Sequence, residues 1–211
     1  MPTEFAELAV SDIRDASHFA WYVIPLLILV FHLYAEEIQR KNWSVLFAGL
    51  AFWGMDWFNE IWNSLVFHFT QYAPVWGVNG ATSYQILIGL NVEISLMFAF
   101  VGITSAKNLP ADKKMKILGV PNRWFVGLAG SIGFVVIEYF LNAIDVLTWD
   151  YWWWNRGSPI PIVLFGYLTF FMVSFWVHDM ATTRAKIIAV AAILGFDATC
   201  LIVFGGVLGW L

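Results

Sequence analysis

Six long apolar runs dominate the chain, at residues 18–38, 43–69, 84–106, 124–148, 160–181 and 186–211. A helix rising 1.5 Å per residue needs about 20 apolar residues to cross a hydrocarbon core, and each run is of that order. The bilayer core offers no water to free backbone N–H and C=O groups, so only helices or a closed barrel can span it. These runs are too long for barrel strands and lack their two-residue alternation. The expected fold is an all-α, multi-pass bundle of six or seven transmembrane helices, read as one integral-membrane domain over residues 1–211 of a cytoplasmic membrane or endomembrane. The first run is also too long, and too poor in preceding bases, for a cleavable signal.

Charge sets the expected orientation. Arg40 and Lys41, then Lys107, Lys113, Lys114, Lys116 and Arg123, then Arg184 and Lys186 fall on alternate connections, which marks those as cytoplasmic. The segments "TEFAELAVSDIRD", "QYAPVWGVNGATSY" and "DYWWWNRGSPIP" then face outward, with both termini. A net charge of −4 with scattered bases leaves no nucleic-acid patch. The single Cys200 excludes a disulfide framework or cysteine cage. No glycine-rich phosphate loop, HExxH or GxSxG occurs, so no cofactor is expected.

Against this apolar background the acids stand out. Asp56, Glu60, Glu93, Glu138, Asp145 and Asp197 all lie inside apolar runs, where a carboxylate costs at least roughly 2.5–3.5 kcal/mol. No lysine or arginine is deep enough to pair with them, and burial without a cation favours a neutral carboxyl, which can donate a proton. Asp56, Glu60 and Asn63 in "DWFNEIWN" repeat as Glu138, Asn142 and Asp145 in "EYFLNAID", at i, i+4 and i+7 on one helical face. Each patterned run leads into an aromatic outer connection, so runs two and three are read as one helical hairpin and runs four and five as its repeat, with the polar faces expected around a shared cavity.

Elsewhere plain structural readings apply. Glu36 and Glu37 are expected to be solvated beside Arg40 and Lys41 and Asp150 to pair with Arg156, while Asn63, Asn91 and Asn142 have interhelical hydrogen-bonding glue as their structural reading. Gly205 and Gly209 form a GxxxG packing signal. The Trp and Tyr residues of 151–155, and Trp76, suit interfacial belts. Trp53, Trp57, Trp62, Tyr139 and Phe140 lie between the acids, where ring faces stabilise a cation by about 0.5–2 kcal/mol each when desolvated. His32, His68 and His178 sit at different depths and lack Glu-x-x-His partners, so no metal is expected.

Neutral acids beside aromatic faces can protonate an apolar substrate from the bilayer and shelter the resulting carbocation. At this point "NEIWNSLVFH" and "YQILIGLNVEISLMFAF" resemble the second and third spans of the small membrane-integral terpene cyclases of fungal meroterpenoid and indole-diterpene pathways, over residues 54–106. The resemblance implies a catalytic acid at Glu60 and another at Asp197. The family is described with seven spans against six here, and Asn59 precedes the glutamate with Trp57 displaced. A weaker similarity to membrane sterol isomerases implies neighbouring chemistry.

The expected function is thus protonation and carbocation cyclisation or isomerisation of an isoprenoid-like lipid, without a cofactor. Asp56, Glu60, Glu138, Asp145 and Asp197 would be the acids and bases. Asn63, Asn142, Trp53, Trp57, Trp62, Tyr139 and Glu93 would bind substrate. The alternatives are a non-enzymatic subunit of a larger membrane complex contacting pigment, quinone or partner helices, and a small proton-coupled transporter. A homo-oligomer is compatible with any of them.

Overall fold

A computed structural model of the protein describes residues 1–79 and 82–211; Gly80 and Ala81 lie outside the described residues. Helix α1 (Glu4–Asp12) is capped by Thr3 and precedes α2 (Val23–Gln39) and α3 (Trp43–Thr70). The connection after α3 holds β1 (Gly77–Val78), β2 (Gln85–Leu87) and β3 (Leu90–Asn91), then α4 (Val92–Lys107) returns. A hairpin of β4 (Lys116–Ile117) and β5 (Val120–Pro121) leads into α5 (Asn122–Ala143), followed by β6 (Leu147–Thr148). Helices α6 (Pro159–Asp179) and α7 (Thr183–Val207) complete the chain, with π-helical stretches at Ile162–Leu168 and Leu201–Val207.

The six apolar runs become six long helical segments. Three of these, α5, α6 and α7, are long and apolar enough to cross a membrane by length and composition. Two run boundaries differ from expectation. Helix α4 begins only at Val92, because the Asn91 side chain caps it by accepting the Ile94 N–H at 2.8 Å. Ahead of that cap, β2 and β3 turn back on themselves, held by Gln85 Nε2 donating to the Leu87 carbonyl at 2.8 Å. Asn91 is therefore a helix cap and not interhelical glue. Helix α5 stops at Ala143, and Asp145 follows in the left-handed conformation at φ 58°. The Val146 N–H then bonds the Leu141 carbonyl, closing the turn.

Helix α3 is the hub, packed against α4, α6 and α7. Between lipid-embedded helices there is little hydrophobic driving force, so close packing and interhelical hydrogen bonds must hold them. Both occur here. A Cβ on Gly102 of α4 would stand 2.8 Å from the Gly49 carbonyl of α3, so only glycine permits this approach. Ser174 of α6 donates to the Ala48 carbonyl of α3 at 2.9 Å. Phe52 of α3 meets Phe171 of α6 edge-on, with centroids 4.9 Å apart. Gly205 and Gly209 do not pack a helix: Gly205 meets only Leu211, and Gly209 lies beyond the helix end at φ 66°.

Most of the lysines and arginines cluster at one end. Lys107 bridges Glu36 at 3.0 Å and Glu37 at 2.9 Å, Arg123 binds both oxygens of Asp179, and Lys186 caps α6 through the carbonyls of Val177, His178 and Met180. Glu37 is thus buried and tied to Lys107 and Asn42 instead of solvated beside Lys41. At the opposite end, the Thr3 N–H bonds the Tyr72 carbonyl and Arg14 donates to the Leu211 carbonyl, which brings both termini to that side. There Asp150 accepts from Thr3 and Arg156 donates to the Tyr139 carbonyl, so those two residues do not pair with each other.

Candidate functional site

Asp56 lies at the middle of α3, and Glu60 is one turn closer to its C-terminal end. Both are buried, at 2% and 3% exposure. Glu60 is built into a polar clasp. Its Oε1 accepts the indole N–H of Trp76 at 2.8 Å, while its Oε2 has no partner among the described residues. Trp76 reaches that position because Asn63, one turn further along the same face, grips the connection that carries it. Asn63 Oδ1 accepts the N–H groups of Val75 and Trp76 at 2.7 and 3.3 Å, and its Nδ2 donates to the Trp76 carbonyl at 2.7 Å. The connection therefore folds back over the acid instead of resting at the interface.

Gly89, in the turn between β2 and β3, closes the clasp. A Cβ there would stand 2.5 Å from Glu60 Oε2 and 2.6 Å from both Asn63 Nδ2 and Trp76 Nε1. Gly89→Ala is expected to destabilise the protein by about 1–3 kcal/mol through overpacking and to break the Trp76 to Glu60 bond. An unfolding titration combined with indole N–H resonances checks this, and an unchanged Trp76 signal would refute it.

Glu138 of α5 comes to the same place. The strand after α3 pairs antiparallel with the strand after α5, Gly77 opposite Thr148 and Val78 opposite Leu147. That pairing ties the C-terminal ends of the two acid-bearing helices together. One pocket is consequently lined by Asp56, Asn59, Glu60 and Glu138 among its polar groups, and by Trp76, Trp154, Tyr167, Phe98 and Phe134 among its aromatic ones. The rings are ordered. Phe134 stacks on Tyr167 at 4.8 Å and on Phe98 at 5.3 Å, while Trp76 stacks on Trp154 at 5.6 Å.

The cavity measures about 110 Å³. An apolar cavity of about 150 Å³ holds one benzene, so this one takes a branched end group and not a whole lipid. Ile137, which also lines it, is half exposed on the outside of α5, giving the remainder of a chain a way out towards lipid. The wall formed by Gly166 and Tyr167 belongs to the π-helical stretch of α6, an irregularity common at functional sites.

The other expected residues divide. Asp197 of α7 is buried behind α3, facing Gly54, with neither carboxyl oxygen bonded among the described residues; it interacts electrostatically with Asp56 but does not line the pocket. Asp145 is exposed beyond the end of α5, so the i+7 member of the second triplet is not part of the site. Asn142 closes the same turn by donating to the Leu147 carbonyl. Glu93 lies at the start of α4, accepting from the Tyr22 and Thr82 hydroxyls and the Ser83 N–H, a structural knot away from Glu60. Trp53 donates to Ser95, Trp57 packs beside Ile61 and Cys200, Trp62 is partly exposed against Trp76, and the Tyr139 hydroxyl donates to the Arg156 carbonyl. None of these lines the pocket.

The aromatic groups that do were not singled out by spacing. Trp76 and Trp154 sit in outer connections that read as belt residues, and Tyr167, Phe98 and Phe134 read as ordinary span residues. Only the return of the outer connection into the bundle puts the tryptophans on the acid. No group of three His, Cys, Asp or Glu placed to hold a metal occurs among the described residues.

Residues 3–206 match a family described as an "Uncharacterized membrane protein family", and the chain belongs to it. An Archaeoglobus fulgidus protein is 54% identical over 211 residues, covering all of both chains. A second protein from that organism is 47% identical over 55 residues, a quarter of this chain and 98% of its own length. Both carry the description "Uncharacterized protein". No solved structure matches the chain.

Proposed function

We propose that this member of the family is an integral-membrane acid–base catalyst that protonates the unsaturated end of an isoprenoid-like lipid and guides the carbocation to a cyclised or isomerised product. The observation that carries this reading is the meeting of Glu60 and Glu138 across one small aromatic cavity without a cation among its lining residues. Trp76 occupies Glu60 Oε1, which leaves Oε2, without a hydrogen-bond partner among the described residues, as the oxygen that would hold the transferable proton. As that O–H bond breaks, a new C–H bond forms at a substrate double bond, leaving a carboxylate and a carbocation. The stacked faces of Phe134, Tyr167 and Phe98 would stabilise the cation, each ring contributing about 0.5–2 kcal/mol when desolvated. Glu138, or the newly formed Glu60 carboxylate, then removes a proton from an adjacent carbon and a double bond returns. Nothing is oxidised, and no co-reactant is consumed.

Asp56 on the cavity wall and Asp197 behind it extend the carboxyl series, and as neutral groups they would return a proton to Glu60 after each turnover. The same pair favours a second reading, a proton-coupled carrier, because unpartnered membrane acids also mark proton pathways. The open face of α7, only 17% buried across its apolar window, favours a helical subunit that docks partner helices or a quinone.

The test is deuterium transfer. Full-length protein in nanodiscs, incubated in D2O with polyprenols and geranylgeranyl lipids, is expected to return one lipid carrying a carbon-bound deuteron. Absence of carbon-bound deuterium across the panel, together with proton uptake into liposomes, would move the assignment to the carrier. Stoichiometric partner chains in a native-mass spectrum would move it to the complex subunit.

A further inference from the structure

The connection between α4 and α5 carries a feature that the pocket does not use. Strands β4 and β5 pair Lys116 with Pro121 and Ile117 with Val120, leaving a two-residue turn of Leu118 and Gly119. Both turn residues have positive φ, 51° and 84°. Such turns favour Asn-Gly, and a leucine in the first position is conformationally disfavoured. Leu118 is nonetheless 89% exposed, and Met115 and Val120 beside it are also exposed. A strained leucine held out into water with no contact to the rest of the chain gains nothing from the fold.

The surroundings identify what it meets. Lys114 and Lys116 are exposed and carry no ion pair among the described residues, while Asp112, also exposed, is engaged in accepting the Lys114 N–H. Lys113 donates to the Asp179 carbonyl at 2.9 Å and lies 3.4 Å from its carboxylate, the group that also takes Arg123. These contacts pin the base of the hairpin to the end of α6, a helix long and apolar enough to cross a membrane, and so to the level where that helix leaves the hydrocarbon. Cations at that level with an apolar tip beside them match a layer of anionic headgroups over acyl chains.

We propose that the β4–β5 hairpin is a membrane-surface anchor, with Leu118 seated at the boundary between headgroups and acyl chains and Lys114 and Lys116 on anionic lipid headgroups. The anchor does not depend on the chemistry assigned to the pocket.

The native thiol, Cys200, is buried, so an environment-sensitive fluorophore can be placed at L118C in the full chain. In nanodiscs containing phosphatidylglycerol, the label is expected to emit to the blue and to be quenched by a shallow doxyl lipid at least about twofold more than in phosphatidylcholine discs. K114Q/K116Q or high salt should remove that difference. A label equally open to aqueous iodide in both kinds of disc, or shielded only when a protein partner is added, would overturn the proposal. Asn accepts positive φ, so L118N keeps the turn. With the label moved to V120C, L118N is expected to reduce lipid quenching at least twofold. Unchanged quenching there would likewise overturn the role of the leucine.

Discussion

Glu60→Gln is expected to lower deuteron transfer to lipid by at least about a hundredfold, the range in which a positioned general acid contributes. The substitution is nearly isosteric, and a glutamine Oε1 can still accept the Trp76 indole N–H, so the clasp over α3 keeps its central bond. What disappears is the transferable proton. Glu138→Gln is expected to leave the first protonation in place and to change the product distribution, because it removes the base on the far side of the cavity. Single-turnover incubations in D2O, with products resolved by mass, separate the two. A Glu60→Gln protein that retains more than a tenth of native transfer would show that the proton comes from another group.

Asn63→Leu should have the largest effect on stability. The two side chains are similar in size, so the change leaves little cavity. It orphans the N–H groups of Val75 and Trp76 and the Trp76 carbonyl in a place where Asn63 itself is 0% exposed. Leaving a buried polar group unmade costs about 1–3 kcal/mol each, so a loss of about 3–5 kcal/mol is expected. The connection should lift from the bundle and take the Glu60 hydrogen bond with it. Unfolding in mixed micelles measures the loss, and a change below about 1 kcal/mol would mean that β1–β6 pairing alone holds the connection down.

Several features of the site are legible along the chain for a simple reason. A carboxyl in an apolar run is costly wherever the run goes, so Asp56, Glu60, Glu138 and Asp197 identify themselves before any fold is known. All four are buried. Helical spacing likewise puts Asp56, Glu60 and Asn63 on one face of α3, because all three lie well inside that helix. The same spacing fails for Asp145, since it extends a helix that has already ended at Ala143. Periodicity carries no information about where a helix stops, and the polar turn that ends α5 is set by bonds among Leu141, Asn142, Val146 and Leu147.

Trp76 shows the other boundary of what spacing can say. An outer-loop tryptophan has the same local sequence whether it lies in the headgroups or folds into the bundle. The choice is made by Asn63, thirteen residues earlier, and by a glycine at 89 with room for no side chain.

Hydrophobicity and charge alone determine that this chain is a helical membrane protein with most of its bases on alternate connections and several of its acids inside apolar runs, because transfer free energies act on each residue independently of its neighbours in space. Which acids share a cavity, which rings face them and which residues merely tie off a turn were decided only by the tertiary structure, because those depend on contacts between segments that the sequence places far apart.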